Sequence, residues 1–153
     1  MSQQQVLADK LADCLYDGKS IRQMQTMIEK SKKEDKDNLS QGSIGVSTPS
    51  YTPLMVAINF ERDDLVKILL DQGAPPNDLA LHYRYNYAIS ALDLALQNLE
   101  KKKSPENHHI VNLLIEHGGQ KSDKLLPKGK TITIFGTENV PSKLQYQQQR
   151  SHW

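Results

Sequence analysis

Cysteine is nearly absent from this chain. Cys14 stands alone among 153 residues, so no intramolecular disulfide can staple the fold. No Cys/His cluster has zinc-finger spacing either. A reducing compartment is the simplest setting, and Cys14, on the apolar side of a helical stripe, reads as a buried structural thiol. Charge of one sign is also lacking. Nineteen Lys and Arg against 18 Asp and Glu give +1 at pH 7, so no global field draws the chain to nucleic acid or anionic lipid. Long apolar runs are missing: Leu54 to Ile58 and Ile68 to Leu70 are far too short to span a bilayer. The start, Met1-Ser2-Gln3-Gln4-Gln5, has no basic region and no apolar run, so no secretory signal is expected. These absences together suggest a soluble, cytoplasmic protein. The apolar share, 37%, is low for one large central core and suits a thin architecture whose layers bury each other's faces.

What is present is a repeated order of signals. Thr52-Pro53-Leu54-Met55-Val56-Ala57 is followed by Leu65-Val66-Lys67-Ile68-Leu69-Leu70-Asp71-Gln72-Gly73-Ala74. A second copy runs Ser90-Ala91-Leu92-Asp93-Leu94-Ala95, then Ile110-Val111-Asn112-Leu113-Leu114-Ile115-Glu116-His117-Gly118-Gly119. Thr52 caps a helix start and Pro53 takes the first helical position, where no amide hydrogen is missed. Leu54, Ala57 and Ile58 share one face, and small Ala57 lets a neighbouring helix approach. Asn59 to Asp64 is polar and makes the turn. Leu65, Ile68 and Leu69 form a second helical stripe, widened by Val66 and Leu70. Gly73 ends it, and Pro75-Pro76 stops any continuation. In the second copy, Gln97 to His109 is longer than a tight turn. It predicts an extended first helix, a loop at Ser104-Pro105, and a second helix over Ile110 to His117. Upstream, Val6, Leu7, Leu11, Cys14 and Leu15, then Ile21, Met24, Met27 and Ile28, form two more stripes around a turn at Asp17-Gly18-Lys19.

With these residues in view, the chain resembles the ankyrin-repeat family. Thr52 to Asn77 follows the family pattern without a gap, with Met55 in place of a histidine, Ile58 of an alanine, Glu61-Arg62 of Gly-His and Pro75 of an aspartate. The resemblance implies an all-α solenoid of stacked helix–turn–helix units. Repeats are expected at about 5–30, 50–77 and 88–120 within a domain of residues 1–120. Residues 121–153 form an extension with a short irregular or β-like C-terminal cap. There, Lys130-Thr131-Ile132-Thr133-Ile134-Phe135 alternates and reads as a strand. The glutamine-rich end, Leu144 to Trp153, is expected to fray.

Two connections depart from the pattern. Ser31 to Ser50 is charged, then Ser/Gly-rich, and reads as a solvated loop or a partner-contacting finger. Asp78 to Ile89 carries Tyr83, Arg84, Tyr85 and Tyr87. Tyrosine and arginine are enriched where binding energy concentrates, although the same tyrosines would also serve by packing on neighbouring helices.

Signals for chemistry are weak. Gly42-Ser43-Ile44-Gly45 lacks the Gly-Lys-Ser/Thr close of a phosphate loop. His108, His109, Glu116 and His117 do not form a metal-binding helix motif, and His108 falls in the expected loop. Lys101-Lys102-Lys103 follows a glutamate, has no aromatics nearby and reads as a solvated loop. No catalytic residue, metal or cofactor is expected. The resemblance therefore implies a non-catalytic protein-binding module, an adaptor or inhibitor, whose partner docks on the concave face and projecting loops. Carried onto this sequence, that surface takes Tyr51, Met55 and Asn59, then Asp93 and Gln97, with the Tyr83 to Tyr87 loop beside them. The alternatives are a bacterial effector acting on host proteins and a small enzyme using the C-terminal extension. An uncovered last apolar face would favour weak homodimers.

Overall fold

The computed structural model describes residues 5–43, 50–82, 87–125, 131–132 and 140–141. Three helical hairpins follow one another. The first is α1 (Leu7–Tyr16) and α2 (Ile21–Glu34), the second α3 (Pro53–Asn59) and α4 (Asp63–Asp71), the third α5 (Ala91–Lys101) and α6 (Pro105–Glu116). A short helix α7 (Ser122–Leu125) follows. The first helices α1, α3 and α5 pack side by side in one layer, and α2, α4 and α6 form the second. This is the ankyrin-like solenoid expected from the sequence.

Local chemistry sets the helix boundaries. Thr52 Oγ1 accepts the Met55 amide at 3.3 Å, with Pro53 in the first turn. Ser90 and Asp93 form a reciprocal capping box: Ser90 Oγ accepts the Asp93 amide at 3.1 Å and Asp93 Oδ2 the Ser90 amide at 3.2 Å. Ser20 and Gln23 do the same for α2. Gly73 (φ 98°) and Gly118 (φ 82°) follow the second helices in the left-handed conformation, which a side chain would oppose. The core is a continuous apolar seam through the stack. Leu11, Met24, Ile28, Leu54, Leu65, Leu69, Ile110 and Leu114 are all buried within it.

Four expectations are corrected. Pro105 does not lie in a loop: Ser104 Oγ accepts the Asn107 amide at 3.1 Å and α6 begins at Pro105, so His108 is helical. The device is the one used at Thr52-Pro53. Asp78 to Ile89 is no plain loop. Leu79–His82 (β1) and Tyr87–Ser90 (β2) pair antiparallel, Leu81 opposite Ala88 and Ala80 opposite Ile89. Ala80, Ala88 and Ile89 are buried within this ribbon. Ser31 to Ser50 is ordered in its first part. Helix α2 runs on to Glu34, and a 3-10 turn at Lys36–Leu39 buries Leu39, with Asn38 Nδ2 donating to the Ser31 carbonyl at 2.9 Å. Cys14 is half-buried, packed at the margin of the core.

In the extension, Thr131–Ile132 (β3) pairs antiparallel with Val140–Pro141 (β4), which places a strand inside the Lys130 to Phe135 segment. The rest of that segment and the Leu144 to Trp153 end lie outside the described residues. Among the described residues, no helix is long and apolar enough to cross a membrane.

Candidate binding surface

The expected surface is built on the first helices and on the segments that lead into them. Ser50 donates its amide to the Leu81 carbonyl at 3.1 Å, and Ser43 donates to the Tyr51 carbonyl at 2.9 Å. The approach to α3 is thus pinned along the outer edge of β1. Tyr51 is half-buried there, and burial holds its phenol above the ordinary tyrosine value. It offers part of a ring and a neutral hydroxyl.

Asn59, the last residue of α3, is exposed. Gln97, half-buried on α5, is the third position. Met55 is not available. It is 1% exposed, since every residue from Pro53 to Ile58 is buried. Helix α3 sits between α1 and α5 with α4 behind it, and a helix apolar on all sides has no solvent face. Asp93 is half-buried and committed to the scaffold. Its Oδ2 takes the Ser90 amide and also the Ser122 amide, the latter at 3.1 Å. It caps α5 and ties down the start of α7. Tyr83, Arg84 and Tyr85 lie outside the described residues. Tyr87 opens β2, opposite His82.

Sequence reasoning missed a polar network on the opposite edge, where the hairpins turn. Glu61 adopts φ 58°, a left-handed conformation, at the position where the family pattern has glycine. Its Oε1 accepts from Asn107 Nδ2 at 3.0 Å and lies 3.7 Å from Lys102 Nζ. Asn107 is 1% exposed, and the same Nδ2 reaches the carbonyls of Lys102 at 2.9 Å and Asn98 at 3.4 Å. Asn98 Nδ2 donates to the Ile58 carbonyl at 3.1 Å, and His109 Nδ1 meets Asp63 Oδ2 at 2.8 Å. On the far side, Asn77 donates to the Gly118 carbonyl at 3.0 Å and accepts the Gln120 amide at 2.8 Å. The one signal for this network was Glu61 in a glycine's place.

These groups bind the scaffold to itself. His109 is paired with Asp63, and His117 Nδ1 meets the Leu113 carbonyl of its own helix at 2.8 Å. Among the described residues, no cluster of three or more His, Cys, Asp or Glu is placed to hold a metal ion.

Residues 50–83 match the ankyrin repeat, a fold generically associated with protein–protein interaction and generally non-catalytic. No curated protein and no solved structure matches the chain significantly.

Proposed function

We propose that this chain is a non-catalytic protein-binding module, an adaptor or inhibitor, in which three ankyrin-type helical pairs form one array. The matched repeat at residues 50–83 carries this reading. The third pair uses the same side-chain capping and left-handed glycine end, and both flanking pairs share its two-layer packing. The partner contacts Tyr51, Asn59 and Gln97 on the first-helix side, together with Tyr83, Arg84, Tyr85 and Tyr87. Met55 supports this surface from beneath, and Asp93 fixes its frame. Tyrosine and arginine are enriched where binding energy concentrates.

The test compares captures from native lysate by wild type, Asn59→Arg and Lys67→Glu. Asn59 is exposed at the end of a first helix, and Lys67 is exposed on a second helix. A stoichiometric protein lost with Asn59→Arg and kept with Lys67→Glu is the expected result. The opposite pattern moves the site to the second-helix side. Absence of any stoichiometric protein with all three forms overturns the binding reading.

A further inference from the structure

A stack of helical pairs has two ends, each short of one neighbour, so architecture alone does not say which end opens first. Here the two joints differ in kind. The joint between the second and third pairs carries polar ties at both of its edges. On the turn edge are Asn107 to Glu61 at 3.0 Å, Asn98 to the Ile58 carbonyl at 3.1 Å and His109 to Asp63 at 2.8 Å. On the other edge Asn77 bonds both Gly118 and Gln120. The Asn107 tie is the most protected, since that side chain is 1% exposed. The joint between the first and second pairs is apolar. Among the described residues, no hydrogen bond or ion pair links α1 or α2 to α3 or α4. What joins them is core packing and an edge-to-face contact of Tyr16 on Phe60, centroids 5.1 Å apart. Tyr16 is itself 79% exposed, so water competes for most of its ring. The 3-10 turn bonds back onto α2 through Asn38 and Ser31, so it belongs with the first pair.

We infer that the array is a two-part device: α3 to α6 form one clasped block, and the α1–α2 pair, with its 3-10 turn, swings open from that block as a unit. This goes beyond the binding reading and does not depend on it. It makes the first pair the adjustable element of the molecule and α3 to α6 the rigid one. Apolar packing has no directional requirement and tolerates sliding. The directional bonds from Asn107 to Glu61 and from Asn98 to the Ile58 carbonyl do not, because parting the two pairs breaks both.

Native-state hydrogen exchange on the full chain, in urea well below the unfolding midpoint, tests this. The amides of α1 and α2 are expected to share one opening, populated at least about tenfold more than the opening that exposes α3 to α6. Asn107→Ala should separate α5 and α6 from α3 and α4, speeding exchange in α5 and α6 by about tenfold. Asn98→Ala, a milder loss, should act in the same direction. In wild type, α5–α6 opening first, or α1 to α6 opening together, overturns the inference. So does a uniform loss of protection across all six helices in both variants.

Discussion

Replacing Glu61 by glycine and by alanine should invert the usual order of those two residues. In ordinary backbone, glycine is less stable than alanine by roughly 0.5–1 kcal/mol, because its unfolded chain is freer. Glu61 sits at φ 58°, where an L-residue costs about 1–2 kcal/mol. Alanine keeps that strain and glycine does not. The difference leaves glycine ahead by about 0.5–1 kcal/mol, after its unfolded-state penalty is subtracted. Both variants lose the hydrogen bond from Asn107, so that loss cancels between them. Against wild type it does not cancel. A bond to a charged acceptor is worth about 1.5–3 kcal/mol when shielded. The Glu61 side chain is 37% exposed, so a value at or below the low end applies. The 3.7 Å approach of Lys102, whose side chain is 69% exposed, adds little. No donor is stranded, since Asn107 Nδ2 still reaches the carbonyls of Lys102 and Asn98. Glu61→Ala should therefore fall about 1.5 kcal/mol or less below wild type and Glu61→Gly about 1 kcal/mol or less. Urea unfolding followed by circular dichroism, with a common slope for all variants, reads both numbers. Alanine equal to or better than glycine would refute the strain argument. A double-mutant cycle with Asn107→Ala that returns no coupling would refute the bond.

Three further outcomes follow from burial, capping and charge. Leu69 is fully buried at the centre of the stack, so Leu69→Ala should cost about 2–5 kcal/mol. Ile115→Ala, at a side chain 57% exposed, should stay within about 0.5 kcal/mol. The same urea titration measures both, and equal losses would sink the assigned core. Ser104→Ala should cost about 0.5–2 kcal/mol by removing the cap of α6; a neutral result would mean that α6 starts later than Pro105. Asp64 and Asp78 should respond to pH with opposite signs. The hydrogen bond from Arg62 holds the Asp64 carboxyl below its ordinary value. Its stabilisation is present above the unfolded value near pH 4 and is lost as pH falls through the lower folded value. Burial raises the Asp78 carboxyl. Its ionised form is therefore a cost above the raised folded value, and that cost disappears below the unfolded value. Asp64→Asn should destabilise at pH 7 and Asp78→Asn should stabilise; at about pH 3 the Asp78 difference should be gone and the Asp64 difference reduced. Melting curves at the two pH values check the signs.

The parts of the fold that were legible in the sequence are the ones written locally. Thr52-Pro53, Ser90 and the glycines at 73 and 118 act within one turn of where they stand, so their residue types suffice. Ser104-Pro105 carries the same local message, but proline after a polar stretch also reads as a breaker. Only the packed position of Asn107 beneath Glu61 decides between the two. Met55 failed for the reverse reason. Its exposure depends on what flanks α3 on each side, and neither α1 nor α5 is part of the local pattern. The β1–β2 ribbon was hidden because Leu79-Ala80-Leu81-His82 is too short to separate from a loop until its partner strand is in place.

The polar network at the hairpin turns shows how far such reasoning reaches. Glu61 and Asn107 are 46 residues apart, and nothing near either one announces the other. Yet the sequence held half of the clue. A glutamate where the repeat pattern has glycine carries a backbone cost, and such a cost persists only where something nearby offsets it. The departure therefore implied a partner for the carboxylate without naming it. Asn107 is that partner, and the carbonyls of Lys102 and Asn98 hold its amide where it reaches the carboxylate. The bond offsets the backbone cost at Glu61 and helps to fasten the second pair to the third. At the corresponding turn of the first pair, Gly18 takes a positive φ, 72°, without strain and without a side chain to offer. A turn that meets its left-handed residue with glycine gives up the chance to clasp its neighbour. The polarity of this array is therefore written in which turn keeps its glycine.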